Sequence, residues 1–152
     1  MKRSLLVLTL LGFMLSSYSQ DRTVSSDLEI NSSTAKVWDV ITNPMYARIL
    51  GAEFDKGAFV ESEWTLGSDV HFKYEPDRLI STGTISKLVV QEVIQVDYDF
   101  DGFKYNEKYA LKKIGDGTVL HVIAGPYLSD YEAQIVVWSN WLAKVKELSE
   151  SE

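Results

Sequence analysis

Val93-Ile94-Gln95-Val96-Asp97-Tyr98-Asp99-Phe100-Asp101-Gly102-Phe103-Lys104-Tyr105-Asn106-Glu107-Lys108-Tyr109-Ala110-Leu111-Lys112 alternates with period two on both sides of an Asp-Gly pair. Side chains of a strand point alternately to opposite faces, so Ile94, Val96, Tyr98 and Phe100 share one side with Phe103, Tyr105, Glu107, Tyr109 and Leu111. Gln95, Asp97, Asp99 and Asp101 share the other with Lys104, Asn106, Lys108, Ala110 and Lys112. Asp101-Gly102 is a two-residue turn that tolerates positive φ, which makes the stretch a hairpin. One face of it is aromatic and the other charged.

Working outward, further strands are expected at Asp69 to Glu75, Leu79 to Leu88 and Thr118 to Ala124, with an irregular one at Phe54 to Glu63. Gly115-Asp116-Gly117 is a second tight reversal, and strands joined by such turns pair antiparallel. Val70, Phe72 and Tyr74 extend the aromatic side, as do Thr118, Leu120 and Val122. Upstream, Val24 to Ile30 reads as a first strand. Asn31, Ser32 and Ser33 are candidate caps for a helix from Thr34 to Thr42. Asn43-Pro44 ends that helix, and Pro44 suits the first turn of a short second one through Leu50. The chain closes with a helix from about Ser129 to Leu148, in which Tyr131, Ile135, Trp138, Leu142 and Val145 form an apolar stripe. The expected fold is α+β: a curved antiparallel sheet of six to seven strands wrapped on a long C-terminal helix.

The chain has 152 residues, 45% hydrophobic and 24% charged, with no internal repeat and no linker that would separate two domains. Residues 1–19 read as a secretory signal peptide: Lys2 and Arg3, an apolar stretch from Leu5 to Leu15, and small residues before a cut after Ser19. The apolar stretch is too short to span a bilayer, which takes roughly 20 residues. The expected product is an extracytoplasmic domain of residues 20–152 with no stable membrane insertion. Formal charge is -7, and falls to -9 once Lys2 and Arg3 are removed. Such a surface repels phosphate backbones, so nucleic acid is not an expected partner. There is no cysteine, which excludes disulfides, thiolate metal sites and a thiol nucleophile.

Chemical motifs are sparse. His71 and His121 alternate with apolar residues and should point away from the aromatic side, with no HxxxH or HxH spacing between them. No Gly-x-Ser-x-Gly elbow, GxGxxG or GxxxxGK[ST] occurs, so no hydrolytic triad, metal or cofactor is expected. Asp97, Asp99 and Asp101 read as a solvated outer face. Glu107 is the exception: strict alternation puts an acid on the aromatic face between Tyr105 and Tyr109. Burial raises a carboxyl pKa unless a cation or hydrogen bonds compensate. Glu107 is therefore a candidate base or ligand anchor, unless it sits at an open rim or pairs with Arg48 or Arg78.

The order of elements, together with Ala35-Lys36-Val37-Trp38 leading to Thr42-Asn43-Pro44, Trp64 with Gly67, Gly83-Thr84-Ile85, Gly117-Thr118, and Trp138 to Trp141-Leu142 with Lys146 and Leu148, resembles the START-like superfamily. This is the SRPBCC, Bet v 1-like or helix-grip group, and the local residues look like its branch of activator-of-heat-shock-ATPase homologues and polyketide-cyclase-like proteins. The resemblance spans nearly all of Val24 to Leu148. It implies a cavity between the sheet and the last helix that holds a small apolar or lipid-like molecule. On this chain the lining would be Phe72, Tyr74, Tyr98, Phe100, Tyr105, Tyr109, Trp138 and Trp141, with Thr82, Thr84 and Glu107 as polar members. The alternative is that these side chains fill one another's space as solid core. The expected function is a non-enzymatic binding domain. Two others are carried beside it: a cyclase-like enzyme using Glu107 as acid or base, and a protein-interaction module acting through the exposed sheet face. The sequence names no protein partner.

Overall fold

A computed structural model describes residues 22–151, so the expected signal segment lies outside the described residues. Ten elements follow one another: β1 (Val24–Ile30), α1 (Thr34–Thr42), α2 (Pro44–Gly51), β2 (Ala58–Ser62), β3 (Asp69–Tyr74), β4 (Arg78–Val89), β5 (Val93–Phe100), β6 (Phe103–Ile114), β7 (Gly117–Gly125) and α3 (Tyr131–Glu150). The seven strands form one antiparallel sheet in the order β1-β7-β6-β5-β4-β3-β2. Strands β2 to β7 run as a meander and β1 closes onto β7, so β5 and β6 lie well inside the sheet. This is the α+β helix-grip arrangement, with α3 packed on the sheet.

Local chemistry sets the element ends. Ser33 is the cap of α1, its hydroxyl accepting from the Lys36 amide at 3.2 Å. Asn43 serves two helices. Its backbone N–H closes α1 on the Asp39 carbonyl, and its side-chain oxygen accepts from the Met45 amide at 3.0 Å to open α2, where Pro44 needs no N–H partner. This tight junction turns α2 back over the sheet. Gly51 then passes against β2, where an added Cβ would lie 2.1 Å from the Ala58 carbonyl oxygen. The β5–β6 turn has Asp101 and Gly102 at φ 54° and 92°, and the Asp99 carboxylate accepts from the Gly102 amide at 2.7 Å.

The core lies between the helix-facing side of the sheet and the three helices. Trp138 on α3 is fully buried, edge-on to Phe54 at 4.9 Å and beside Tyr109 and Trp141. Two expectations are corrected here. The strand over Phe54 to Glu63 is confined to Ala58–Ser62, because Phe54 turns inward onto Trp138. The stripe on the last helix begins to be buried only at Trp138, while Ile135 is 39% exposed and Trp141 joins the buried face. Among the described residues no helix is long and apolar enough to cross a membrane.

Candidate functional site

Cross-strand register places Glu107. The row Ile85, Val96, Glu107, Ala124 and Val24 runs across β4, β5, β6, β7 and β1 on the helix-facing side. Its four other members are buried and apolar. Glu107 is thus a lone acid at mid-sheet, away from any rim. Neither arginine reaches it: Arg48 pairs with Glu75 at 2.9 Å and lies over the Phe59 ring, while Arg78 lies over the Tyr74 ring.

Tyrosines partner it instead. The Tyr105 hydroxyl donates to Oε1 at 3.0 Å and the Tyr109 hydroxyl to Oε2 at 2.7 Å. Tyr105 has one proton, so Tyr127, 2.8 Å away, donates to Tyr105 and accepts in turn from Trp138 Nε1 at 2.7 Å. Every donor in this chain from α3 to β6 is aimed toward the carboxylate. Burial pushes the Glu107 carboxyl above its ordinary value, and the Tyr109 and Tyr105 hydrogen bonds work against that rise by favouring the ionised form. The same burial, reinforced by Glu107, holds the Tyr98, Tyr105 and Tyr109 hydroxyls well above theirs. Tyr127 is raised as well, chiefly by burial.

Glu107, Tyr109 and Trp141 border a cavity of about 220 Å³. Glu107 keeps some accessible surface because it faces that space, although protein atoms surround its carboxylate. The cavity lies under the α1–α2 junction, walled by Ile41, Thr42, Asn43, Pro44, Ala47 and Leu50 on the helix side and by Val60, Val70 and Val96 on the sheet side. Trp64, in the β2–β3 connection, adds an aromatic wall. Arg48, Glu61 and Asp77 also border it, with Lys73 bridging the two acids.

The expected lining divides accordingly. Tyr98, Tyr105 and Trp138 form the packed wall around Glu107; Tyr98 lies across Gly83, where a Cβ would come within 2.7 Å of its ring. Phe72 and Tyr74 are half-buried on β3, edge-on to each other at 5.8 Å, with the Tyr74 hydroxyl bonded to Asp55. Phe100 is 45% exposed near the hairpin tip, stacked on Tyr98. Thr82 and Thr84 are corrected outright. They pair with His71 and Asp97 and are exposed on the outer face, because the inward phase of β4 belongs to Gly83 and Ile85. Of α3 only Trp141 borders the open space, while Trp138 packs on Phe54, Tyr109 and Trp141. Sequence reading missed the α1–α2 wall and Tyr127, since contacts between residues this far apart leave no periodic signal. His121 bonds Asp27 on the outer face, and His71 lies 3.8 Å from the Asp69 carboxylate.

No family model matches the chain, and no curated protein does. Solved structures do. Protein CV1439 from Chromobacterium violaceum aligns at TM-score 0.67 and 18% identity over 86% of this chain and 99% of its own. The Aha1 dimer from Colwellia psychrerythraea aligns at 0.66 and 12% over 84% and 96%. CalU16 from Micromonospora echinospora aligns at 0.62 and 14% over 84% and 76%. Likeness at such identities is likeness of fold, and on it the chain shares the helix-grip fold of these structures.

Proposed function

We propose that the protein is an exported, non-enzymatic binding domain for a small, mostly apolar molecule, held between the α1–α2 junction and the sheet. The observation that carries this reading is a mid-sheet carboxylate with no counter-ion among the described residues, bordering an open volume of about 220 Å³. A cavity of about 150 Å³ already takes a benzene ring, so there is room for a ring with a short tail. Apolar walls supply affinity and one polar group orients the guest, the usual division of labour in small-molecule sites. Neighbours of the same fold support a ligand-binding domain.

The test is native mass spectrometry of delipidated protein exposed to a cell extract. A retained small molecule supports the reading, and a cavity that stays empty against every extract fraction defeats it. Export rests on the N-terminal pattern. N-terminal sequencing of the protein recovered outside the cytoplasm should begin near Gln20, and a retained Met1 would overturn export.

One observation favours a second reading, a cyclase-like enzyme. A carboxyl raised by burial and hydrogen-bonded to two tyrosines is suited to take and return a proton. On that reading Glu107→Gln abolishes turnover while the domain stays folded.

A further inference from the structure

We propose that the molecule bound at Glu107 carries a protonated amine on an apolar body, and that guests ending in a carboxylate are rejected. This rests on the binding reading above and names the chemistry of its polar end. Glu107 accepts one hydrogen bond on each oxygen from Tyr105 and Tyr109. Each carboxylate oxygen has a second acceptor site, and none of the salt bridges among the described residues involves Glu107. The floor of the cavity thus offers unused acceptors, and a negative charge whenever the carboxyl is ionised.

The remaining polar wall supplies little to an anion. The Thr42 hydroxyl donates to the Trp38 carbonyl at 2.9 Å, and the Ser62 hydroxyl to the Asp69 carbonyl at 2.7 Å. The Asn43 amide donates to Asp39 and its oxygen caps α2. Arg48 is engaged with Glu75 and with the face of Phe59. Glu61 and Asp77 add two acids that share one cation, Lys73, between them. An ammonium entering this space meets acceptors and, at the ionised carboxyl, an opposite charge, and it supplies a counter-ion that Glu107 does not find among the described residues. A carboxylate meets a buried like charge, the costliest arrangement in a low-dielectric interior.

Four probes of matched shape separate the outcomes: 2-phenylethylamine, 2-phenylethanol, propylbenzene and 3-phenylpropionate, titrated calorimetrically into the full chain. At pH 8 the amine should bind about tenfold tighter than the alcohol, as a charge-assisted bond does over a neutral one, and the carboxylate weakest. The amine's advantage should shrink as acid protonates Glu107. The ionisable groups around that carboxyl are Tyr105 and Tyr109 on β6, Tyr98 on β5 and Tyr127 before α3, with Arg48 on α2, Glu61 on β2 and Asp77 beyond β3 sharing the cavity; the four tyrosines stay protonated through this range. Glu107→Gln should erase the preference of the amine over the alcohol, a change of about tenfold or ~1.4 kcal/mol. An amine that binds no tighter than propylbenzene, or a carboxylate that binds as well as the amine, overturns this inference and leaves the cavity reading standing. Binding of none of the four overturns both.

Discussion

The Tyr109 hydroxyl lies 2.7 Å from Oε2 of Glu107, on the same strand and two residues away, so a single stretch of β6 carries both the buried acid and one of the donors that keep it ionisable. Burial and hydrogen bonding pull the carboxyl in opposite directions, and burial is the larger. Stability and binding therefore both depend on the protonation of this one group.

Glu107→Gln should flatten the pH dependence of folding. The folded-state pKa of Glu107 is above its unfolded value, so the folded state holds the proton more tightly. Its contribution is fully present below the unfolded pKa and is lost as pH rises through the folded one. Relative to the Gln variant, wild type should lose stability as pH rises from 4 through the folded-state value of the carboxyl, by about 1.4 kcal/mol for each unit by which it is raised. Urea unfolding of both proteins across that range reads the difference, and parallel curves would contradict it.

Tyr109→Phe removes one donor from the carboxylate and should raise Glu107 further. The variant should be destabilised by about 1–3 kcal/mol at pH 8, as expected for a hydrogen bond to a charged group, and by less at pH 4, where the carboxyl is neutral. A loss equal at both pH values would mean that the hydroxyl does not act through Glu107.

Gly83→Ala tests the packed wall. The new methyl would sit 2.7 Å from both the Tyr98 ring and the Val96 side chain, so Tyr98 must move. The expected cost is about 1–3 kcal/mol of overpacking, with a changed near-UV circular dichroism signal. An unchanged midpoint would show that Tyr98 is not held against this strand.

Ala47→Phe places a ring from α2 into the cavity that Ala47 borders. Propylbenzene binding should fall at least tenfold while stability changes by less than about 1.5 kcal/mol, because the ring fills space instead of displacing a packed group. Loss of stability by several kcal/mol would mean that the space is already occupied.

The fold was legible because its signals are short-range. Alternation in Val93 to Lys112, the Asp101-Gly102 turn, the Asn43-Pro44 stop and the apolar spacing of the last helix each act within a few residues. Glu107 was legible for the same reason, since parity along β6 alone assigns its face. Thr82 and Thr84 face outward because the inward positions of β4 are Gly83, which yields space to Tyr98, and Ile85; a strand that alternates threonine with glycine and isoleucine carries little polarity contrast to mark its face.

What the sequence by itself determined is the order of elements, the aromatic face and the identity of the lone acid on it, because strand parity and helix spacing are properties of the local chain. Only the tertiary structure decided that Glu107 meets no cation among the described residues, that Tyr127 and Trp138 reach it through Tyr105, and that the open volume lies under the α1–α2 junction. Those facts depend on where segments distant in sequence come to rest. Both arginines considered as partners for the acid are engaged elsewhere, Arg48 with Glu75 and Phe59 and Arg78 with the face of Tyr74.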